Sequence, residues 1–124
     1  MNCPCQSGKT YNHCCRPWHD GKAAPTAEQL MRSRYSAYVL NNGAYLHRTW
    51  HSQTRPTKKS LLQLEAIAWQ GLQILRTEQG LETDNQGIVE FIASFQVQDQ
   101  IQQMQETSRF LRENGRWVYV DALS

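Results

Sequence analysis

Beyond position 15 the sequence contains no cysteine; all four lie within the first fifteen positions of a chain of 124 residues. A body held together by disulfides is therefore excluded. No long apolar run occurs, which excludes a membrane-spanning helix. The N-terminus has neither a basic-then-apolar leader nor an Arg-rich amphipathic segment, so the expected location is the cytoplasm. Charge of one sign is scarce as well: 13 Lys and Arg stand against 11 Asp and Glu. The basic residues Arg32, Arg34, Lys58, Lys59, Arg109 and Arg112 are scattered among acids, which gives no tract for nucleic acid. A serine nucleophile elbow, a phosphate-cradling glycine loop and a His-Glu-x-x-His helix are all missing, and with them the chemistries they carry. No internal repeat or low-complexity segment is present.

What is present is concentrated at the start. Cys3-Pro4-Cys5 and Cys14-Cys15 form two close pairs separated by the turn-forming Ser7-Gly8-Lys9. Ligands one or two residues apart grip one side of an ion, and a chain reversal brings the second pair opposite. Adjacent cysteines bond to each other with difficulty, so a tetrahedral zinc(II) knuckle on Cys3, Cys5, Cys14 and Cys15 is expected rather than two disulfides or four ordinary thiols. Lys9 or Arg16 would offset the thiolate charge. His13 is an alternative fourth ligand in place of Cys14 or Cys15, and otherwise an exposed loop residue.

Hydrophobic residues make up 40% of the chain, enough for one modest core, so residues 1–20 are expected as knuckle and linker and 21–124 as one domain. Arg16 to Pro25, with two prolines and a glycine, reads as linker anchored by Trp18. Thr26, with Gln29 three positions on, starts a helix to about Asn41 that Gly43 terminates. Leu30, Arg34, Ala37, Tyr38 and Asn41 share its inward stripe. A second helix is expected over Ala44 to His51, and a third after Pro56-Thr57, carrying Leu61, Leu64, Ile67 and Ala68 and ending near Trp69-Gln70-Gly71. The periodicity then changes to two. Strands are expected over Leu72 to Gln79, Gly87 to Asp99 and Ile101 to Arg112, with a fourth from Trp117 after an Asn114-Gly115 turn. The fold class is α+β: a zinc knuckle, three helices, and a curved four-stranded antiparallel sheet.

Two resemblances add to this. Cys-x-Cys, Ser-Gly-Lys and the closing Cys-Cys resemble the SEC-C motif, the zinc-binding tail of the SecA translocase ATPase, with Gln6 standing where the motif usually has Gly. Leu30-Met31-Arg32-Ser33-Arg34-Tyr35, Tyr45-Leu46, Thr49-Trp50-His51, Trp69, Gly71-Leu72 and Glu106 to Gly115 with Trp117 and Tyr119 resemble the bacterial YchJ family. That resemblance implies a cone-shaped nuclear transport factor 2-like domain around a cavity, and no assigned reaction. Longer relatives carry a second cysteine knuckle that this sequence lacks. The SecA tail recruits an export chaperone and contacts ribosomes, so the resemblance implies a protein or ribosomal partner for the knuckle. Pairing through the sheet into a homodimer is a further expectation.

Candidate groups for the cone are Glu106 and Ser108, which with Met104 and Phe110 point to one side of their strand, and Arg34, Tyr35, Trp50 and His51 from the helices. Glu106 reads either as a base or ligand contact, or as a structural ion pair with Arg34. His51 reads as a general base or as a surface residue, and Tyr35, Tyr38, Trp50, Trp69, Phe91 and Trp117 as a ligand pocket or as plain core. No catalytic residue is assigned, and a zinc-dependent interaction module is favoured over an enzyme. The competing expectation is a small-molecule binder or enzyme that uses the cone.

Overall fold

The computed structural model describes residues 1–57 and 67–123. A 3₁₀ turn at Tyr11–His13 leads into helices α1 (Arg16–His19), α2 (Ala27–Val39) and α3 (Gly43–Arg48). Strands β1 (Ala68–Gln79), β2 (Gln86–Val97), β3 (Gln100–Glu113) and β4 (Arg116–Ala122) follow and form an antiparallel meander in sequence order.

Local sequence accounts for most boundaries. The Thr26 side chain accepts a hydrogen bond from the Gln29 N–H and starts α2 as a cap should. Its end differs from expectation. Asn41, not Gly43, takes the left-handed backbone (φ 57°), and Gly43 opens α3 behind the Asn42 side chain, which accepts from the Tyr45 N–H. Asn tolerates that conformation because its short amide bonds locally. α3 also stops earlier than expected, at Arg48, because Trp50 leaves the helix to bridge Tyr119 of β4. His51 therefore lies beyond it.

β2 shows the expected alternation: Val89, Phe91 and Ala93 are buried on one face, against Ala27, Leu30, Met31 and Tyr35 of α2. Phe110 and Trp117 extend that face onto β3 and β4. Asn114 and Gly115, with φ of 54° and 80°, make the expected β3–β4 turn, and Gln98 and Asp99, at 51° and 65°, make the β2–β3 turn. Register shifts at Trp69/Gly71, Ile74/Arg76 and Arg109/Phe110 bend the sheet around the helices.

Two expectations need correction. Ala68, Trp69, Gln70 and Gly71 belong to β1 rather than to the end of a third helix. Trp69 pairs with Phe95 across the ladder and its ring meets those of Phe95, Tyr35 and Tyr38, a long-range set of contacts that overrides the local helical spacing. The rest of that helix falls at 58–66, outside the described residues. Within the expected linker, Arg16–His19 is helical with a proline in its first turn, and Trp18 packs against the core as anticipated.

Candidate metal centre

The first fifteen residues form a closed loop whose ends are tied by backbone bonds. Cys3 N–H donates to Lys9 O at 2.9 Å, Tyr11 N–H to Met1 O at 3.0 Å, and Gln6 N–H to Cys3 O at 3.1 Å. Between them Gln6 (φ 62°) and Gly8 (φ 88°) reverse the chain. Gln6 occupies a left-handed position that glycine fits without strain, and its side chain offsets this by donating to Gln70 O at 3.1 Å. The 3₁₀ turn then delivers Cys14 and Cys15 opposite Cys3 and Cys5.

All four sulfurs lie within 4.8 Å of one another and none is in a disulfide. Cys5 and Cys14 are 3.5 Å apart and Cys14 and Cys15 3.9 Å. A tetrahedron of Zn–S bonds near 2.3 Å has edges of about 3.8 Å, so the donor set fits a tetrahedral ion in number, softness and spacing. Such a group can hold a metal ion. His13 stands apart: it is exposed and its Nδ1 meets Thr10 Oγ1 at 2.9 Å.

Hydroxyls and one guanidinium support the sulfurs. Ser7 Oγ lies 3.1 Å from Cys14 Sγ. Ser36 Oγ of α2 donates to Cys15 Sγ at 3.3 Å and lies 3.6 Å from Cys3 Sγ. Arg32 Nη1 donates to Cys5 O at 2.9 Å, and its Nε to Glu28 at 3.1 Å. Arg32 thus takes the place expected for Arg16, which bonds Asn12 and Asp20 instead. The Cys5 thiol is pulled down to about 4, chiefly by the hydrogen bond from Cys15 and against its own burial. Cys15 is pushed up because it gives its proton to that thiolate, and Cys14 is pushed up by burial. An ion that binds all four sulfurs as thiolates displaces the protons they hold.

The loop is no appendage. Cys3, Cys5 and Cys15 are buried in the same core as Ala24, Ala27, Leu30 and Met31. His19 adds a second tie that sequence reasoning missed. Its Nε2–H donates to Ser33 O of α2 at 2.8 Å, which leaves Nδ1 to accept from Tyr11 Oη at 2.7 Å. Burial is the main cause that lowers its pKa below the usual value. The unfolded chain then takes up this proton first. Stability conferred by neutral His19 is complete above pH ~6.5 and falls as pH drops from there to the lower folded value. Urea unfolding of metal-loaded protein at pH 7.5 and 5.5 is expected to show that loss, and His19→Gln should show a smaller one.

The cone candidates fare unevenly. Arg34, Tyr35, Trp50 and Glu106 line one cavity between α2 and the sheet, together with Tyr38, Trp69 and Phe91. Trp117 is core, its Nε1–H donating to Pro25 O. Ser108 is fully buried behind the cavity and donates to Glu106 Oε2, as Tyr119 Oη does at 3.0 Å. His51 is not among the lining residues and sits 3.6 Å from the Glu113 carboxylate. Arg34 forms no ion pair with Glu106. Its Nη1 donates to Leu46 O at 2.9 Å and Thr49 Oγ1 at 2.7 Å, and its guanidinium lies 4.9 and 4.8 Å from the ring centres of Trp50 and Tyr119.

A bent antiparallel sheet with helices on one face and a cysteine loop built into its core defines an NTF2-like domain with an N-terminal SEC-C motif. Residues 26–122 match the family described as YchJ, middle NTF2-like domain, and residues 2–17 match the SEC-C motif. A UPF0225 protein of Chromobacterium violaceum is 48% identical over 123 residues, covering 98% of this chain and 91% of its own. The solution structure of a SEC-C motif containing protein from Rhodopseudomonas palustris superposes with a TM-score of 0.88 at 33% identity, over 100% of this chain and 98% of that one. The crystal structure of another, from Psychrobacter arcticus, gives 0.82 at 30% identity, over 96% and 80%. The chain belongs to the YchJ family of UPF0225 proteins. Among the described residues no helix is long and apolar enough to cross a membrane.

Proposed function

We propose that this is a zinc(II) protein whose ion is structural, and that its knuckle serves as a docking module for a protein or ribosomal partner. The observation that carries the metal reading is the convergence of four thiols, three of them buried, on a single point. A full set of thiolates leaves no coordination position for substrate, so the ion fixes shape rather than performing chemistry. All-cysteine ligation with sulfur–sulfur spacing of this kind favours zinc(II) over harder cations, which take oxygen donors. Docking is supported by what the loop turns outward: Lys9, Asn12 and His13 are exposed.

Deleting residues 1–15 is a poor test, because the deletion removes core. The double variant Lys9→Glu, His13→Ala changes the outward face and leaves every thiol in place. Cross-linking of wild-type and variant chains to isolated ribosomes and to cytosolic protein should give a product that the variant loses while it keeps its metal and melting temperature. Equal cross-linking by the two proteins rejects docking through this face and leaves the metal assignment standing.

A further inference from the structure

The cavity between α2 and the sheet has a volume of about 460 Å³, within the range of small-molecule sites. Its walls are aromatic, and its polar groups are few and incompletely used. Trp50 Nε1–H is buried with no hydrogen-bond partner among the described residues. A buried indole N–H without an acceptor is destabilising and calls for a reason. Arg34 is only 3% exposed, yet among the described residues both of its hydrogen bonds leave from Nη1, one to a carbonyl and one to a hydroxyl. No carboxylate lies within ion-pair distance of it among the described residues. Glu106 faces the same space, and the two hydroxyls that reach it both bond Oε2. A cation and a carboxylate thus share one cavity without joining, with the Tyr119 ring between them.

Each feature narrows the occupant. An apolar molecule would leave the Trp50 N–H unpartnered and both charges without a counter-charge. A simple amine would meet Arg34, and a phosphate dianion would bring two charges to one cation beside Glu106. A molecule with a carboxylate and a donor at separate points answers both, and rings on several sides favour a flat, unsaturated body.

We propose that the cavity binds a small aromatic molecule bearing both a carboxylate and an amine. The carboxylate accepts from Arg34 and from Trp50 Nε1–H, the amine donates to Glu106, and the ring lies among Tyr35, Tyr38, Trp69 and Phe91. The proposal is independent of the metal and of docking.

The test uses the full, metal-loaded chain in isothermal calorimetry. L-Tryptophan, L-phenylalanine and 4-aminobenzoate carry both groups; tryptamine, indole-3-propionate and benzoate each carry one. At least one of the first three should bind about tenfold or more tightly than its single-group counterparts. Trp50→Phe, which keeps a ring and removes the N–H, and Glu106→Gln should each weaken that binding by about tenfold. The Trp50 indole proton resonance should shift on binding. Absence of binding by all three two-group probes at millimolar concentration overturns the proposal. So does equal binding of one- and two-group probes, or binding that both substitutions leave unchanged.

Discussion

Replacing Cys5 by serine is expected to drop the metal content from one ion per chain to nearly none and to lower the melting temperature by roughly 15 °C. Cys5 is fully buried at the centre of the cluster, 3.5 Å from Cys14, and is the sulfur most readily ionised. A serine hydroxyl is a poor ligand for a soft site, so the variant loses the binding free energy that stabilises the folded chain. That linkage is worth about 4 kcal/mol at a thousandfold excess of metal over Kd, and for a domain of this size each kcal/mol moves Tm by roughly 4 °C. The loss reaches the whole domain because Cys3, Cys5 and Cys15 belong to the core of α2 and β2. Calorimetry of the wild type treated with a chelator should reproduce the variant's melting curve. A Cys5→Ser protein that melts like the wild type would show that the cluster does not stabilise the fold.

Arg34→Ala is the second large effect, an expected loss of about 3 kcal/mol or more in urea unfolding. Arg34 is buried in the angle between α2, α3 and β4, where it satisfies Leu46 O and Thr49 Oγ1 and its guanidinium rests against the perpendicular rings of Trp50 and Tyr119. Truncation removes these bonds, leaves the Leu46 carbonyl short of its donor and opens a void. Arg34→Lys should recover only part of the loss, because a compact ammonium lacks the guanidinium's planar faces for the two rings and its fixed fork of donors for the two oxygens. Full stability in Arg34→Ala would remove Arg34 from the account of how helices and sheet are joined.

How much of this was legible in the sequence depended on how far apart the partners lie. The cysteine loop could be read because its geometry is set within a dozen residues, and the left-handed turn at Asn114-Gly115 because it is set within two. β2 was legible from its own alternation. The helical reading of Trp69 to Gly71 failed because its pairing with Phe95 and Ser94 is decided by residues more than twenty positions away. Ser33 and Ser36 of α2 were not among the expected inward-facing residues, yet both are fully buried. Ser33 meets Tyr45 Oη and Ser36 meets the sulfurs, partners that only the folded chain supplies. Their spacing with Leu30, Arg34 and Ala37 was the available clue. The Glu106–Arg34 pair failed for a related reason. Placing two charges on facing elements does not make them meet, and here Leu46, Thr49 and the rings hold one while Ser108 and Tyr119 hold the other.

The central claim is that one ion is held by four N-terminal thiolates against α2. Native mass spectrometry of freshly purified chain, paired with thiol counting before and after denaturation, measures it directly. The account predicts a mass increment of one zinc per chain, no fast-reacting thiol in the native protein, and all four cysteines reactive once unfolded with chelator. A folded chain without metal, or sulfurs oxidised in pairs, would contradict it.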